Sequence, residues 1–483
     1  MTLASYSFVL VFLPIALAGF LLLRRQGASV LVAWLLAVSM VFYSWASPLA
    51  AIALVVSSIF NYAVGSRLAT VVDDSRRRAF WLFLGVGINL AALATVKYAP
   101  LFDPGGGFTR GLVSTGIPLA LSFYSFQQMS YLIDISRGDS PAPTFGRYLL
   151  FVSFFPKLLA GPIARARTLL PQLDSPALRF STETLASGLT LFGIGLTKKV
   201  ILADALIPYA SVVFTDAAAG RNVMFADAWS GAVAYSLGLY FDFSGYSDMA
   251  VGVGLMFGIR LPINFDAPYR AANVRDFWRR WHRTLSNAFF DYVYLPFAMW
   301  SRRVTAAGAY AGLLVTMVLC GMWHGAGWTF VAWGALHGGY LMVNYGWRET
   351  RKRWRPLPAS LATLGAVLSG AMTFLAVIIG WVIFRADDFP TALRMLRAMA
   401  AFGSPFAAAP VTPWILVGLA IVWLAPTSQS IVGLDLEGFH DANATRWWQW
   451  RPSPAWGIGT AMATIAALFF LSGRQGDFIY FKF

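Results

Sequence analysis

Apolar runs of about 20 residues, separated by short polar or basic stretches, make up most of this chain. A run of that length crosses the hydrocarbon core of a bilayer when it forms a helix. We predict hydrophobic elements at 5–23, 28–46, 48–67, 79–98, 114–135, 184–214, 226–244, 246–260, 306–323, 326–346, 358–384, 411–427 and 454–472. The pattern predicts an all-α polytopic integral membrane protein with about eleven to thirteen hydrophobic elements, organised as one membrane domain over residues 1–483.

Some apolar segments depart from the pattern of a simple span. Residues 146–163 contain two prolines, and proline interrupts the helical hydrogen-bond ladder, so we expect a re-entrant or half-buried element there. The element 184–214 is expected to be broken, and Gly245 is expected to separate 226–244 from 246–260. Residues 272–290 alternate arginines with aromatic side chains, which is typical of an interfacial amphipathic helix on the cytoplasmic side.

Composition agrees with a membrane protein, because only 12% of the residues are charged and the mean hydropathy is +0.62. The net charge of +15 is carried by short basic clusters between apolar runs, such as Arg76–Arg78. Such clusters indicate cytoplasmic loops and contact with anionic membrane lipid, rather than binding of nucleic acid. The single cysteine, Cys320, allows no intramolecular disulfide.

His324 is the first candidate for chemistry, because it lies between tryptophans and glycines inside an apolar run. A titratable ring at bilayer depth is costly unless it is paired or faces a cavity. Burial favours the neutral imidazole, which can accept a proton from an attacking hydroxyl as a general base. The alternative is a packed histidine that a neighbour on the helix satisfies. For His337, in the next apolar run, helix packing is the favoured interpretation.

The arginines of the 272–290 segment suggest a second candidate site. Arg279, Arg280 and Trp281 lie next to His282, and a guanidinium matches phosphate oxygens in geometry and charge. These residues are candidates for contact with the phosphates of a nucleotide-bearing donor. The alternative is a helix that touches lipid headgroups. His282 lies one helical turn after Trp278 and Arg279, so we expect it to face inward while the arginines face outward.

Two carboxylates, Asp242 and Asp248, occur in an apolar setting around Gly245. They are candidates for orienting a ring nitrogen, binding a cation or facing a polar cavity, or they cap a helix break. No Gly-x-Ser-x-Gly, Walker or His-Glu-x-x-His pattern appears in the sequence, so serine-hydrolase, ATP-driven and zinc chemistry are unsupported and no metal site is predicted.

Several short motifs, in this order, make the chain resemble the membrane-bound O-acyltransferase family, in particular its bacterial alginate O-acetyltransferase branch, which is related to the teichoic acid D-alanyl transfer protein. They are Leu121–Gln127, Phe155–Ile163, Asp242–Asp248, Asn264–Phe265, Phe277–His282, Trp323–Gly325 and Trp381–Ala386. The resemblance implies a ring of tilted helices around a transmembrane tunnel. It also implies that His324 is the family's near-invariant histidine and that His282 occupies the partner position.

From the residues and the resemblance together, we expect an O-acyltransferase of the bacterial inner membrane. It would take acetyl from cytoplasmic acetyl-CoA, without a tightly bound cofactor, for O-acetylation of an exported polysaccharide such as alginate. The resemblance implies a periplasmic acetyltransferase and a polysaccharide synthase complex as partners. His324 would act as general base, and His282 would orient or help polarise the thioester. The alternatives are a transporter or flippase, and a structural subunit of an exopolysaccharide synthase complex.

Overall fold

The structure is a computed structural model. It describes residues 1–71, 73–102, 107, 111, 119–140, 142–174, 180–299, 305–353, 358–401, 409–438 and 446–471. Within these ranges the chain is helical and contains no strand. The helices are α1 (Leu13–Leu23), α2 (Ala28–Ala46), α3 (Pro48–Thr70), α4 (Ser75–Phe102), α5 (Leu121–Arg137), α6 (Phe145–Ser153), α7 (Phe155–Leu158), α8 (Ala166–Leu169), α9 (Thr182–Thr197), α10 (Asp204–Ala218), α11 (Phe225–Met256), α12 (Val274–Arg280), α13 (Arg283–Phe289), α14 (Leu295–Met299), α15 (Ala306–His324), α16 (Trp328–Arg351), α17 (Ala359–Arg385), α18 (Phe389–Ala400), α19 (Thr412–Leu424), α20 (Ser428–Ile431) and α21 (Pro454–Leu471).

Seven of the described helices are long and apolar enough to cross a membrane. They are α2, α3, α4, the helix that joins α9 and α10, α15, α17 and α21. The N-terminal helix from Ser7 to Leu23, which begins with π-helical turns, and α19 are also apolar but shorter. The predicted all-α, multi-pass membrane protein is confirmed. The ring and its tunnel stay predictions.

Two predicted helix breaks are wrong. The segment 184–214 does not break, because π-helical turns at Lys198–Ala203 join α9 to α10 in one helix of 37 residues. A π-helical segment absorbs an extra residue without ending the helix. Gly245 does not divide the next apolar region either, because α11 runs from Phe225 to Met256.

Close helix contact explains the glycines that suggested a break. A Cβ on Gly195 would lie 2.5 Å from the carbonyl oxygen of Gly245. One on Gly188 would lie 2.6 Å from the carbonyl oxygen of Gly252, and one on Gly252 would meet Gly188 in return. The pairs are seven residues apart on both helices, so α9 and this part of α11 pack backbone against backbone. The glycines therefore serve helix packing.

The irregular element predicted at 146–163 is present as two short helices, α6 and α7, that meet at Phe154. Pro156 lies in the first turn of α7, where a missing backbone N–H costs nothing. Residues 148–164 are buried, as broken backbone requires in an apolar medium. The break is confirmed, and the re-entrant path through the membrane stays a prediction.

The amphipathic segment 272–290 forms two helices, α12 and α13, separated at Trp281 and His282. Its pattern is as expected: Phe277, Trp278 and Leu285 are buried, whereas the arginines remain at least partly exposed. The expectation of one continuous helix is wrong, because the chain turns at His282. Its cytoplasmic location stays a prediction.

The chain forms two compact units, each assembled from separate stretches of sequence. The first comprises Met1–Thr197, Gly245–Ile263 and Ser428–Gly473, and the second comprises Lys198–Ser244, Asn264–Thr427 and Arg474–Phe483. The prediction of a single membrane domain stays a prediction. Both candidate histidines, His282 and His324, belong to the second unit.

Buried amide side chains join three helices of the first unit. Asn61 of α3 donates to the Oε1 atom of Gln128 on α5 at 2.7 Å, and its Oδ1 atom accepts from Asn89 of α4 at 2.7 Å. Gln128 also accepts from Ser57 and donates to Ser58. In an apolar medium these groups have no water as an alternative partner, so the bonds hold the three helices in register.

Replacing Asn61 by alanine should lower the free energy of unfolding by roughly 1–2 kcal/mol, because it leaves Gln128 and Asn89 with unmet hydrogen bonds. Thermal unfolding of the purified protein in detergent measures the change. Asn222→Ala is the matched control, because Asn222 is exposed between two helices. Equal midpoints for the two variants would show that the amide network does not hold the helices.

Candidate active site

His282 occupies a sharp turn between α12 and α13. Its backbone has φ of +41°, a left-handed conformation that is unusual for a residue with a side chain. Two backbone hydrogen bonds maintain the turn: Asp266 N–H donates to the carbonyl of Arg280 at 3.0 Å, and Arg283 N–H donates to that of Asn264 at 2.9 Å. The turn, rather than helical periodicity, directs the imidazole inward, where it is fully buried.

A hydrogen bond to Asn264 determines the tautomer of His282. The Nδ1 atom of the ring lies 3.0 Å from the Oδ1 atom of Asn264. The same oxygen accepts from the hydroxyl of Thr284 at 2.9 Å and from its backbone N–H at 3.4 Å. A backbone N–H can only donate, so this atom of Asn264 is the oxygen and His282 donates through Nδ1. In the neutral ring, Nε2 then carries a lone pair.

The surroundings of His282 keep it neutral. The ring of Phe243 lies edge-on to it with centroids 4.7 Å apart, and Phe265 stacks beside it at 6.4 Å. His282 lies outside the candidate spans, and burial lowers its pKa from the usual 6.5 to about 3. A neutral ring that donates through Nδ1 accepts through Nε2. It can therefore orient a hydrogen-bond donor, but it cannot polarise a carbonyl through Nε2.

His324 ends α15 inside a cluster of aromatic rings. Trp333 meets it edge to face, with centroids 5.4 Å apart, and Phe384 does the same at 5.3 Å. The indole of Trp323 lies 5.0 Å from the ring of His324 and 6.3 Å from that of His282. The structure therefore brings both predicted histidines near the ring of one tryptophan, although 42 residues separate them in sequence.

His337 has the packing environment that the sequence suggested. It is fully buried against Trp333 at 4.9 Å and Trp278 at 5.4 Å between ring centroids. Neither of its ring nitrogens has a hydrogen-bond partner within the described part of the chain. A Cβ on Gly380 would lie 2.6 Å from its Nε2 atom, so the ring occupies the space that this glycine leaves.

A cavity of about 510 Å³ lies in the second unit, and none of the three histidines is among its described lining residues. Cys320, one helical turn before His324, lines it, and Trp278 connects it to the aromatic cluster. Two of its lining residues, Trp278 and Thr316, have a buried Nε1 atom and a buried hydroxyl without a hydrogen-bond partner among the described residues.

Arg275 and Arg279 also line this cavity, one helical turn apart on the same face of α12. Both are exposed, and neither has an ion-pair partner among the described residues. Arg280 instead binds Asp276, with Nε and Oδ1 2.9 Å apart. Of the three predicted donor contacts, the structure places only Arg279 at the cavity.

The third predicted donor contact, Trp281, lies in the aromatic core. Its ring is 4.8 Å from that of Trp381 and stacks on Phe277 at 5.7 Å, and it is not among the residues that line the cavity. Donor contact by Arg280 and Trp281 stays a prediction, and Arg275, another arginine of the segment that the sequence suggested for phosphate contact, also lines the cavity. Its spacing of four residues from Arg279 was a usable signal.

Asp242 has a partner that the sequence argument did not consider. Lys199 Nζ lies 2.8 Å from the Oδ1 atoms of both Asp242 and Asp204, and all three side chains are buried. Because α11 continues through Gly245, Asp248 lies on a different side of the helix from Asp242. The alternative that the two aspartates cap a break is wrong, and Asp242 is one of the two anions of a buried ion cluster.

These features define an integral membrane protein with two buried imidazoles near a cavity that is bordered by cations. The chain belongs to the membrane-bound O-acyltransferase family, whose model matches residues 134–384, a range that includes both histidines. It is therefore a multi-pass membrane O-acyltransferase, as the sequence motifs indicated.

The names of similar proteins support the assignment of this chain to the family. The peptidoglycan O-acetyltransferase of Helicobacter pylori is 32% identical over 99% of this chain and 96% of its own length. The probable alginate O-acetylase of Azotobacter vinelandii is 38% identical over 83% of this chain and 79% of its own. The teichoic acid D-alanyltransferase of Streptococcus thermophilus is 28% identical over 64% of this chain and 77% of its own.

The neutral state of His282 predicts a pH dependence of stability. The pKa is about 3 in the folded protein and 6.5 when the ring is in water, so between these values the unfolded chain binds the extra proton. Stability should be constant with respect to this group above pH 6.5 and fall as the pH is lowered below it. Unfolding midpoints of wild type and His282→Gln at pH 7.5 and about 5 measure this. The wild type should lose more stability than the variant, and equal losses would contradict a neutral His282.

Proposed function

We propose that this enzyme transfers acetyl from cytoplasmic acetyl-CoA to a hydroxyl acceptor, for O-acetylation of an exported polysaccharide at the bacterial inner membrane. The observation that carries the proposal is the cavity that Cys320, one helical turn before His324, lines and that Arg275 and Arg279 border. A coenzyme A thioester combines phosphates, amide groups and a neutral acyl end. The arginines suit the phosphates.

The acceptor class is supported by the names of the relatives. Peptidoglycan and alginate are both exported polymers that carry hydroxyl groups, and the two relatives named for them match most of this chain. The acetyl group would reach the polymer directly or through a periplasmic acetyltransferase associated with the synthase complex. Acetylation of alginate or of peptidoglycan by cells that express the enzyme distinguishes the two polymers.

In the proposed mechanism His324 is the general base. Its imidazole accepts the proton of the acceptor hydroxyl while the oxygen attacks the thioester carbonyl. The new C–O bond forms, the C–S bond breaks, and the proton passes to the departing thiolate. His282 donates to Asn264 through Nδ1, so its Nε2 atom accepts a hydrogen bond and orients a second donor group, such as an amide N–H of the thioester substrate. Holding both substrates at the histidines lowers the entropic contribution to the activation barrier.

Replacing His324 by alanine should lower kcat by about 10²–10⁴-fold, because the acceptor hydroxyl loses its base. Transfer of radiolabelled acetyl from acetyl-CoA in inside-out vesicles, at matched protein levels, measures this. His337→Met is the control, because His337 is also a buried imidazole but has only packing contacts among the described residues. Full transfer by a folded His324→Ala enzyme would exclude the general-base role.

Replacing Arg279 by glutamine should raise the KM for acetyl-CoA about tenfold and leave kcat nearly unchanged, because a phosphate contact is lost far from the reacting carbon. Arg280→Gln is the matched control on the same helix, since Arg280 binds Asp276 and does not line the cavity. A free acetyl thioester of pantetheine, which has no phosphate, should be used equally well by both variants. An unchanged KM in Arg279→Gln would place the donor elsewhere.

A further inference from the structure

A groove of about 720 Å³ lies in the first unit, and none of its lining residues is assigned to the reaction. One wall is the face of α21 that carries Gly457, Ala461 and Ile465, and the others come from α1 with the turns before it and from α9. The volume is in the range of small-molecule sites. Along α21 the groove runs from Ser453 to Ile465, about 18 Å at about 1.5 Å per residue.

Polar groups in the groove are already satisfied within the protein. The hydroxyls of Thr190 and Thr460 lie 3.2 Å apart, and Thr190 also bonds the carbonyl of Ala186 at 3.0 Å. Thr464 donates to the carbonyl of Thr460 at 2.8 Å. The remaining lining is aliphatic or aromatic apart from one end, so the groove offers an apolar occupant contact without leaving polar groups unpaired.

The polar end of the groove carries a cation. Arg451 lines it, is exposed, and has no ion-pair or hydrogen-bond partner among the described residues. It belongs to residues 446–453, which contain two arginines, three tryptophans and no acidic residue. Trp450 anchors this loop through its N–H, which donates to the carbonyl of Ile431 at 2.7 Å. Tryptophan and arginine together are typical of the level of lipid headgroups.

The length of the groove and the positive charge at its end both indicate the kind of molecule that it binds. Half of the roughly 30 Å hydrocarbon core is about 15 Å, so a groove of about 18 Å reaches through one leaflet. We propose that the groove binds one acyl chain of an anionic glycerophospholipid whose phosphate contacts Arg451. The site would tie the lipid to three helices, α1, α9 and α21, and it does not depend on the donor or acceptor of the proposed reaction.

Native mass spectrometry of the full-length protein in detergent tests the proposal with dipalmitoyl phosphatidylglycerol and dipalmitoyl phosphatidylcholine. Wild type should bind phosphatidylglycerol in preference to phosphatidylcholine. Arg451→Gln should weaken phosphatidylglycerol binding about fivefold, since one phosphate contact is lost. Arg446→Gln removes the same charge from the same loop, but Arg446 stacks on Trp448 and does not line the groove. It should bind as wild type does.

Variants that fill the groove distinguish a lipid whose acyl chain is bound in it from a lipid that is only attracted to the protein surface. A side chain at Gly457 or at Gly459 meets nothing within 4 Å, so both leucine variants of α21 should fold. Gly457 lines the groove and Gly459 does not. Gly457→Leu should lose phosphatidylglycerol binding and Gly459→Leu should keep it. Equal binding of the two lipids by wild type, equal effects of the two arginine variants, or equal effects of the two leucine variants would each overturn the proposal.

Discussion

The structure depends on one constraint: in an apolar medium a polar group that finds no partner inside the protein is costly, because water is absent. The amides of Asn61, Asn89 and Gln128 meet it by bonding one another across three helices. Lys199 meets it with two carboxylates. His282 meets it through Asn264, and here the solution has a chemical consequence, because the same bond decides which ring nitrogen carries the proton.

Glycines contribute to the close helix packing of a protein in an apolar medium. Where Gly195 and Gly188 of α9 face Gly245 and Gly252 of α11, the two backbones approach so closely that any side chain would collide. Such contact gives van der Waals packing between helices in a medium where the hydrophobic effect contributes little. The glycines of α11 therefore serve its packing against α9, and the helix runs unbroken through them.

The sequence was sufficient for the helices but only partly for the site. Apolar runs such as 28–46 and 306–323 differ from their helices by at most one residue, because length and hydropathy alone determine them. The break expected at Gly245 was wrong, since a single sequence does not show whether a glycine ends a helix or touches its neighbour. The turn at His282 depends on backbone contacts with residues 264 and 266, which spacing does not reveal, whereas Asp276 lies four residues before Arg280 and their pairing was readable from the sequence. Lys199 was passed over because Asp242 is distant in sequence, although Asp204 is only five residues away.

The charged residues of the proposed site are separated from the residues assigned to the reaction, and this separation follows from the same constraint. Arg275 and Arg279 are exposed, whereas His282 and His324 are buried among aromatic rings. In the proposed reaction the phosphates of the donor remain at the arginines, and only the neutral thioester enters the apolar region. No charge has to be transferred from water to that region before the reaction begins. The proposed base, His324, lies among aromatic rings in that same region. An apolar environment thus keeps the charge of the donor apart from the atoms that react.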